Sequence, residues 1–170
     1  MKKTIILTAL ALITFAILSI GISRFSLESI GAGTLGGFDI RLFSTSKKNI
    51  EKAIDSIYIN YPEYKIPEKW KARDNWSQQG CDFLDSRIFY FQNEPEEMYY
   101  VTFIGDSNDV IQHDTNHTRI AIRAVDNGVS GWVLEKDFSS GEKERIEERF
   151  DLEIISRLKN YAKTQAIKED

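Results

Sequence analysis

Three patterns of apolar and polar residues divide this chain. The first is a continuous apolar run, Ile5–Ile22, free of charge and interrupted only by Thr8, Thr14 and Ser19. Eighteen helical residues at ~1.5 Å each reach about 27 Å, close to the roughly 30 Å hydrocarbon core of a bilayer. The run is apolar on all sides rather than along one stripe, which predicts a transmembrane helix and not the buried helix of a globular core. Lys2 and Lys3 ahead of it favour a cytoplasmic N-terminus, with the remainder exported. The alternative is a cleaved secretory signal, with Ser19-Ile20-Gly21 as the cleavage site and a secreted product. Either way the working part is extracytoplasmic.

The second pattern has a period of two. In Phe38–Phe43, Phe38, Ile40 and Leu42 fall on one side and Asp39 and Arg41 on the other, which predicts a half-buried strand. Arg87–Gln92 and Met98–Gly105 are rich in aromatic and β-branched residues and flank Asn93–Glu97, predicting a hairpin. Thr118–Val125 and Val129–Lys136 form a second pair about the turn signal Asp126-Asn127-Gly128.

The third pattern is helical. Ile50, Ile54, Ile57, Tyr58 and Tyr61 recur at three- and four-residue spacings behind the capping cluster Ser44-Thr45-Ser46, and Pro62 ends them. Ile146, Phe150, Ile154, Leu158 and Ala162 form a second stripe, capped by Ser139 or Ser140. Its first half is acidic and its second half basic, as the helix dipole prefers.

The expected order is therefore β-α-β-β-β-β-α, an α+β domain with a mainly antiparallel sheet and its helices on one face. Residues 1–24 are the anchor or signal, 25–37 a Gly/Ser linker, 38–165 the domain and 166–170 a charged tail. Between the first helix and the hairpin, Glu63–Ser86 shows no periodicity; its tryptophans are expected to fasten a long loop to the core.

Alternation also assigns faces. Phe38, Ile40, Leu42, Phe89, Phe91, Val101, Phe103, Ile120 and Ile122 are expected against the helices. Opposite them fall Tyr90, Tyr100, Thr102, Arg119, Arg123 and Arg41, a mixture of Tyr and Arg of the kind enriched in binding hot spots. These six are the candidate partner-binding face.

Charge narrows the partners. Without the first 24 residues the chain keeps 19 basic and 26 acidic residues, the opposite of the basic footprint nucleic acid requires. A single cysteine, Cys81, allows no internal disulfide and reads as a small buried residue. Gly31-Ala32-Gly33-Thr34-Leu35-Gly36 has the form of a dinucleotide fingerprint, but it precedes a strand instead of opening a helix. Asn75-Trp76-Ser77 and Asn116-His117-Thr118 match the N-glycosylation pattern, which matters only in a eukaryotic secretory pathway.

The one constellation with catalytic potential is His113-Asp114-Thr115-Asn116-His117, whose imidazoles and carboxylate could hold a metal. The surroundings read as a loop, and no nucleophile motif accompanies it. The expectation is a membrane-tethered binding or accessory domain with no catalytic residue, no cofactor and a protein or envelope partner. Two alternatives stand beside it: a small metal-binding protein or hydrolase using His113 and His117, and an envelope protein that neutralises a toxin.

Overall fold

A computed structural model describes residues 37–75, 85–104 and 116–169 of the chain. Six strands form one antiparallel sheet: β1 (Ile40–Phe43), β2 (Ser86–Phe91), β3 (Glu97–Ile104), β4 (Thr118–Asp126), β5 (Trp132–Leu134) and β6 (Ala166–Glu169). Their spatial order is β2-β3-β4-β1-β6, and β5 pairs with the far end of β4. The helices are α1 (Lys47–Asn60), α2 (Ser140–Phe150) and α3 (Ser156–Ala162). A π-turn, Asp151–Ile155, joins α2 to α3 without a break in helical backbone.

Local signals explain these boundaries. Ser46 precedes α1 in extended conformation, and its carbonyl accepts from the Asn49 and Ile50 amides. The Tyr61 amide still donates to Ile57 at 2.7 Å before Pro62 turns the chain. At α2 the Ser139 hydroxyl accepts from the Glu142 amide, and the Glu142 carboxylate accepts from the Ser139 amide at 2.9 Å, a reciprocal capping box.

Both helical layers lie on one sheet face. Ile50, Ile54 and Ile57 of α1 and Ile146, Phe150, Ile154, Ile155 and Leu158 of the second layer share one buried cluster with Phe89, Phe91, Val101, Ile120 and Ile122. This is the α+β arrangement that periodicity predicts.

Four details depart from expectation. In β1 the phase is reversed: Phe43 and Arg41 are buried while Ile40 and Leu42 are only half-buried. Arg41 takes the helix side because its Nε and Nη2 donate to Asp151 at 2.7 and 2.8 Å, a bidentate pair a helix can supply and water need not. In β4 the register jumps, with Tyr100 opposite Ala124 but Val101 opposite Ile122, leaving Arg123 as a bulge residue. Beyond it Val125, rather than Ala124, continues the core side. The return strand of the second hairpin shrinks to Trp132–Leu134, with Gly128 and Gly131 both at positive φ in the turn.

Residues 166–169 of the stretch expected as a charged tail, 166–170, instead supply β6. Lys163 adopts left-handed backbone (φ 51) and reverses the chain, so that Ala166–Glu169 pairs with β1 from Phe43 to Ile40. Its charges have partners: Lys168 lies against Asp39 at 2.5 Å and against Glu147, and Glu169 accepts from Arg119 Nε at 2.9 Å.

Among the described residues no helix is long and apolar enough to cross a membrane. The Ile5–Ile22 run, most of the 25–37 linker, Trp76, Cys81, His113 and Asp114 lie outside the described residues.

Candidate functional site

Two polar groupings are built into the helix side of the sheet. Glu97 opens β3 fully buried, on the same side as Tyr99 and Val101. Arg145 reaches it from α2 with two bonds of 2.6 and 3.0 Å, Arg149 adds a third at 3.3 Å, and the Tyr99 hydroxyl donates at 3.0 Å. Arg149 is saturated besides, donating to the Asn93 and Pro95 carbonyls and to Glu153. Burial, and then the charge of Glu97, pushes the Tyr99 phenol well above its ordinary range. The second grouping is Arg41 with Asp151, Asp39 and Glu147. In both, the arginines and carboxylates face one another, so these are clamps between helix and sheet, with no unpaired group aimed at a ligand.

The opposite face is organised differently. Ile88, Tyr90, Met98, Tyr100, Thr102, Ala121 and Ala124 are buried there, yet none belongs to the helix-side cluster. Part of their cover is a single 3-10 segment, Glu68–Arg73. Trp70 stands edge-on to Tyr90 with ring centres 5.8 Å apart, and Trp132 meets Tyr100 at the same distance and in the same attitude. Lys69 contacts Glu96 at 2.5 Å at one end of the segment. At the other end Arg73 donates to Asp126 at 2.8 and 3.0 Å and to the Gly128 carbonyl at 2.6 Å, while its own carbonyl accepts from Trp132 Nε1 at 2.9 Å.

Gly128 sits so close to the Trp70 ring that a Cβ there would lie 3.0 Å from two of its carbons. With φ at +80, the position calls for glycine on both counts. Hydrogen bonds from Lys69 and Tyr90 hold the Glu96 carboxyl below its ordinary value.

The six residues of the candidate face are thus separated. Tyr90, Tyr100 and Thr102 do share the face opposite the helices, but they are buried beneath covering structure and not displayed to solvent. Arg119 and Arg123 reach solvent in part. Arg41 is on the wrong side altogether, buried against Asp151. His117 is exposed just before β4, where the following Thr118 donates its hydroxyl to the Thr45 carbonyl at 2.7 Å. No group of three or more His, Cys, Asp or Glu capable of holding a metal occurs among the described residues.

Sequence reasoning missed Trp70, Arg73, Asp126 and Gly128 as a unit. The only available signal was the Trp70–Arg73 spacing of three, which places ring and guanidinium on one side of a tight helix, 5.1 Å apart. Two open depressions, about 310 and 320 Å³, flank the domain, one along β2 beside Tyr58 and Lys65 and one between the Asn93–Pro95 turn and Arg145. At the first, the outward carbonyls of Ser86 and Ile88 already accept from Arg87 and from the Tyr58 hydroxyl, which blunts that edge against an added strand. Comparison with protein-family models, curated proteins and solved structures finds no match to this chain.

Proposed function

We propose that the protein is a membrane-tethered extracytoplasmic binding domain, an accessory component that captures another protein or component of the cell envelope. The tether is Ile5–Ile22, with its N-terminus cytoplasmic and the domain on the far side. The observation that carries the binding role is the second aromatic layer. Two aromatic pairs, Trp70 with Tyr90 and Trp132 with Tyr100, stand apart from the helix-side core, with the part-exposed Arg119 and Arg123 on β4. Tyr, Trp and Arg are the side chains that most often dominate binding energy.

The test is chemical crosslinking of the full-length protein in native membranes, followed by mass spectrometry. One partner in stoichiometric yield is expected, and Arg123→Glu should lower its capture about tenfold, roughly 1.4 kcal/mol, with the thermal midpoint unchanged. No partner enriched above control would overturn the proposal. Protease added outside intact cells should cut the domain, and the mass of the mature chain separates anchor from cleaved signal.

A further inference from the structure

We infer that the Glu68–Arg73 segment is a detachable strap, in which Trp70 occupies from within the chain the aromatic slot that a basic, aromatic segment of the partner would take. This rests on the proposal that the face opposite the helices is where the partner binds. The strap itself shows what the slot holds. Its floor is aromatic, with Tyr90 edge-on to the indole and glycine at 128 letting the outer edge of the ring come close to the turn. A carboxylate stands at each end, Glu96 beside Lys69 and Asp126 beside Arg73. An indole between two cations fits this slot, and the acidic excess of the chain favours a partner segment of that composition.

When the strap leaves, the Trp132 Nε1–H loses the Arg73 carbonyl and the Gly128 carbonyl loses the Arg73 guanidinium, and both pass to water at the uncovered turn, while the other groups beneath it keep partners of their own. Asp126, only 1% exposed, keeps a bond of 2.7 Å from the Gly128 amide when Arg73 departs. Tyr90 keeps Glu96 as its acceptor, and Tyr100 keeps Trp132. Asn127 continues to bind the Val129 and Ser130 amides, so the turn that shapes the slot is held by its own side chains. The strap-side cations are the exposed members of their pairs: Lys69 is 61% exposed and Arg73 35%. The Lys69 tie is exposed and of small worth, so the bonds of Arg73 to Asp126, Gly128 and Trp132 decide whether the strap opens.

The experiment uses full-length protein in detergent and a labelled peptide of residues 66–74 as the probe. In a Trp70→Ala/Arg73→Ala variant, which frees the slot, the peptide should bind saturably and at least about tenfold tighter than to wild type, while the same peptide with Trp replaced by Ala should not bind. Loss of the folded near-ultraviolet spectrum in the variant would overturn the inference, because the sheet would then need the strap. A folded variant without saturable binding would overturn it equally. Partner capture provides the second arm. Peptide binding with no envelope partner captured by any variant leaves the slot standing and removes the binding-domain proposal. Equal capture by wild type and variant, with no peptide binding, does the reverse.

Discussion

Both faces of the sheet are buried, but they are closed by different means. On the helix side, α1, α2, the π-turn and α3 all insert apolar side chains into one cluster, and two arginine–carboxylate clamps are sealed into its margins. On the other side, six residues of 3-10 helix hold down the aromatic floor with one ring, two ion pairs and the bonds that Arg73 makes to the Gly128 carbonyl and takes from Trp132. Fractional exposure does not distinguish the two, since Trp70 and Ile155 are nearly alike. The difference lies in extent: the helices insert many apolar side chains into the surface they cover, whereas the strap inserts one ring and fastens it chiefly through Arg73.

That contrast can be broken in several ways, and the largest effect needs no mutation. Tyr58, Tyr64 and Tyr99 all lie on the helix side. Burial pushes each phenol up from its ordinary 10.0, helped for Tyr64 by its bond to Glu153 and for Tyr99 by the charge of Glu97. A group whose folded value is raised contributes fully below its unfolded value and loses that contribution as pH rises through the folded one. The thermal midpoint should therefore be flat between neutral pH and 10.0 and fall beyond it. A midpoint that stays flat well into alkali would show that these phenols are not held as described.

Next comes Phe150→Ala, which empties a site in contact with Phe89 and Tyr99. It should cost about 4 kcal/mol in denaturant unfolding. Glu97→Ala leaves Arg145 and Arg149 facing each other without their carboxylate and should cost about 3 kcal/mol. Restoring part of that loss by also replacing Arg145, whose bonds go to Glu97, would identify uncompensated charge as the cause. Trp70→Ala should cost less than a core tryptophan, about 2 kcal/mol, because an opened strap leaves water where the ring was instead of a cavity. A cost equal to that of Phe150→Ala would erase the distinction between the faces. Ser139→Ala, which removes one half of the capping box, should cost about 1 kcal/mol.

The helices and four of the strands were legible because burial on one side writes a period into the sequence. What was not legible is where that period is broken or its cause is distant. Arg123 adds one residue to β4, and no local feature of Arg119–Val125 announces it. Arg41 reads as solvent-facing because alternation cannot see Asp151, 110 residues away. Ala166–Glu169 carries two charges in four residues and reads as tail, yet Asp39, Glu147 and Arg119 are waiting to neutralise them. Tyr90 and Tyr100 were correctly placed opposite the helices. Their burial depends on Trp70 and Trp132, which belong to segments too short to show a rhythm.

The π-turn at Asp151–Ile155 sets how far the last helix is wound before it releases the chain. Each α-helical residue turns its successor by about 100°, and a π-turn takes up one residue more than an α-turn, so this turn absorbs the extra residue without moving the face that follows it. Were the same residues wound as plain α-helix, Leu158 would swing by roughly 100° out of the cluster, and the left-handed corner at Lys163 would aim elsewhere. The strand that β1 meets on its outer flank would then be delivered away from it. One residue of slack in a helix is thus the address by which the sheet receives its sixth strand.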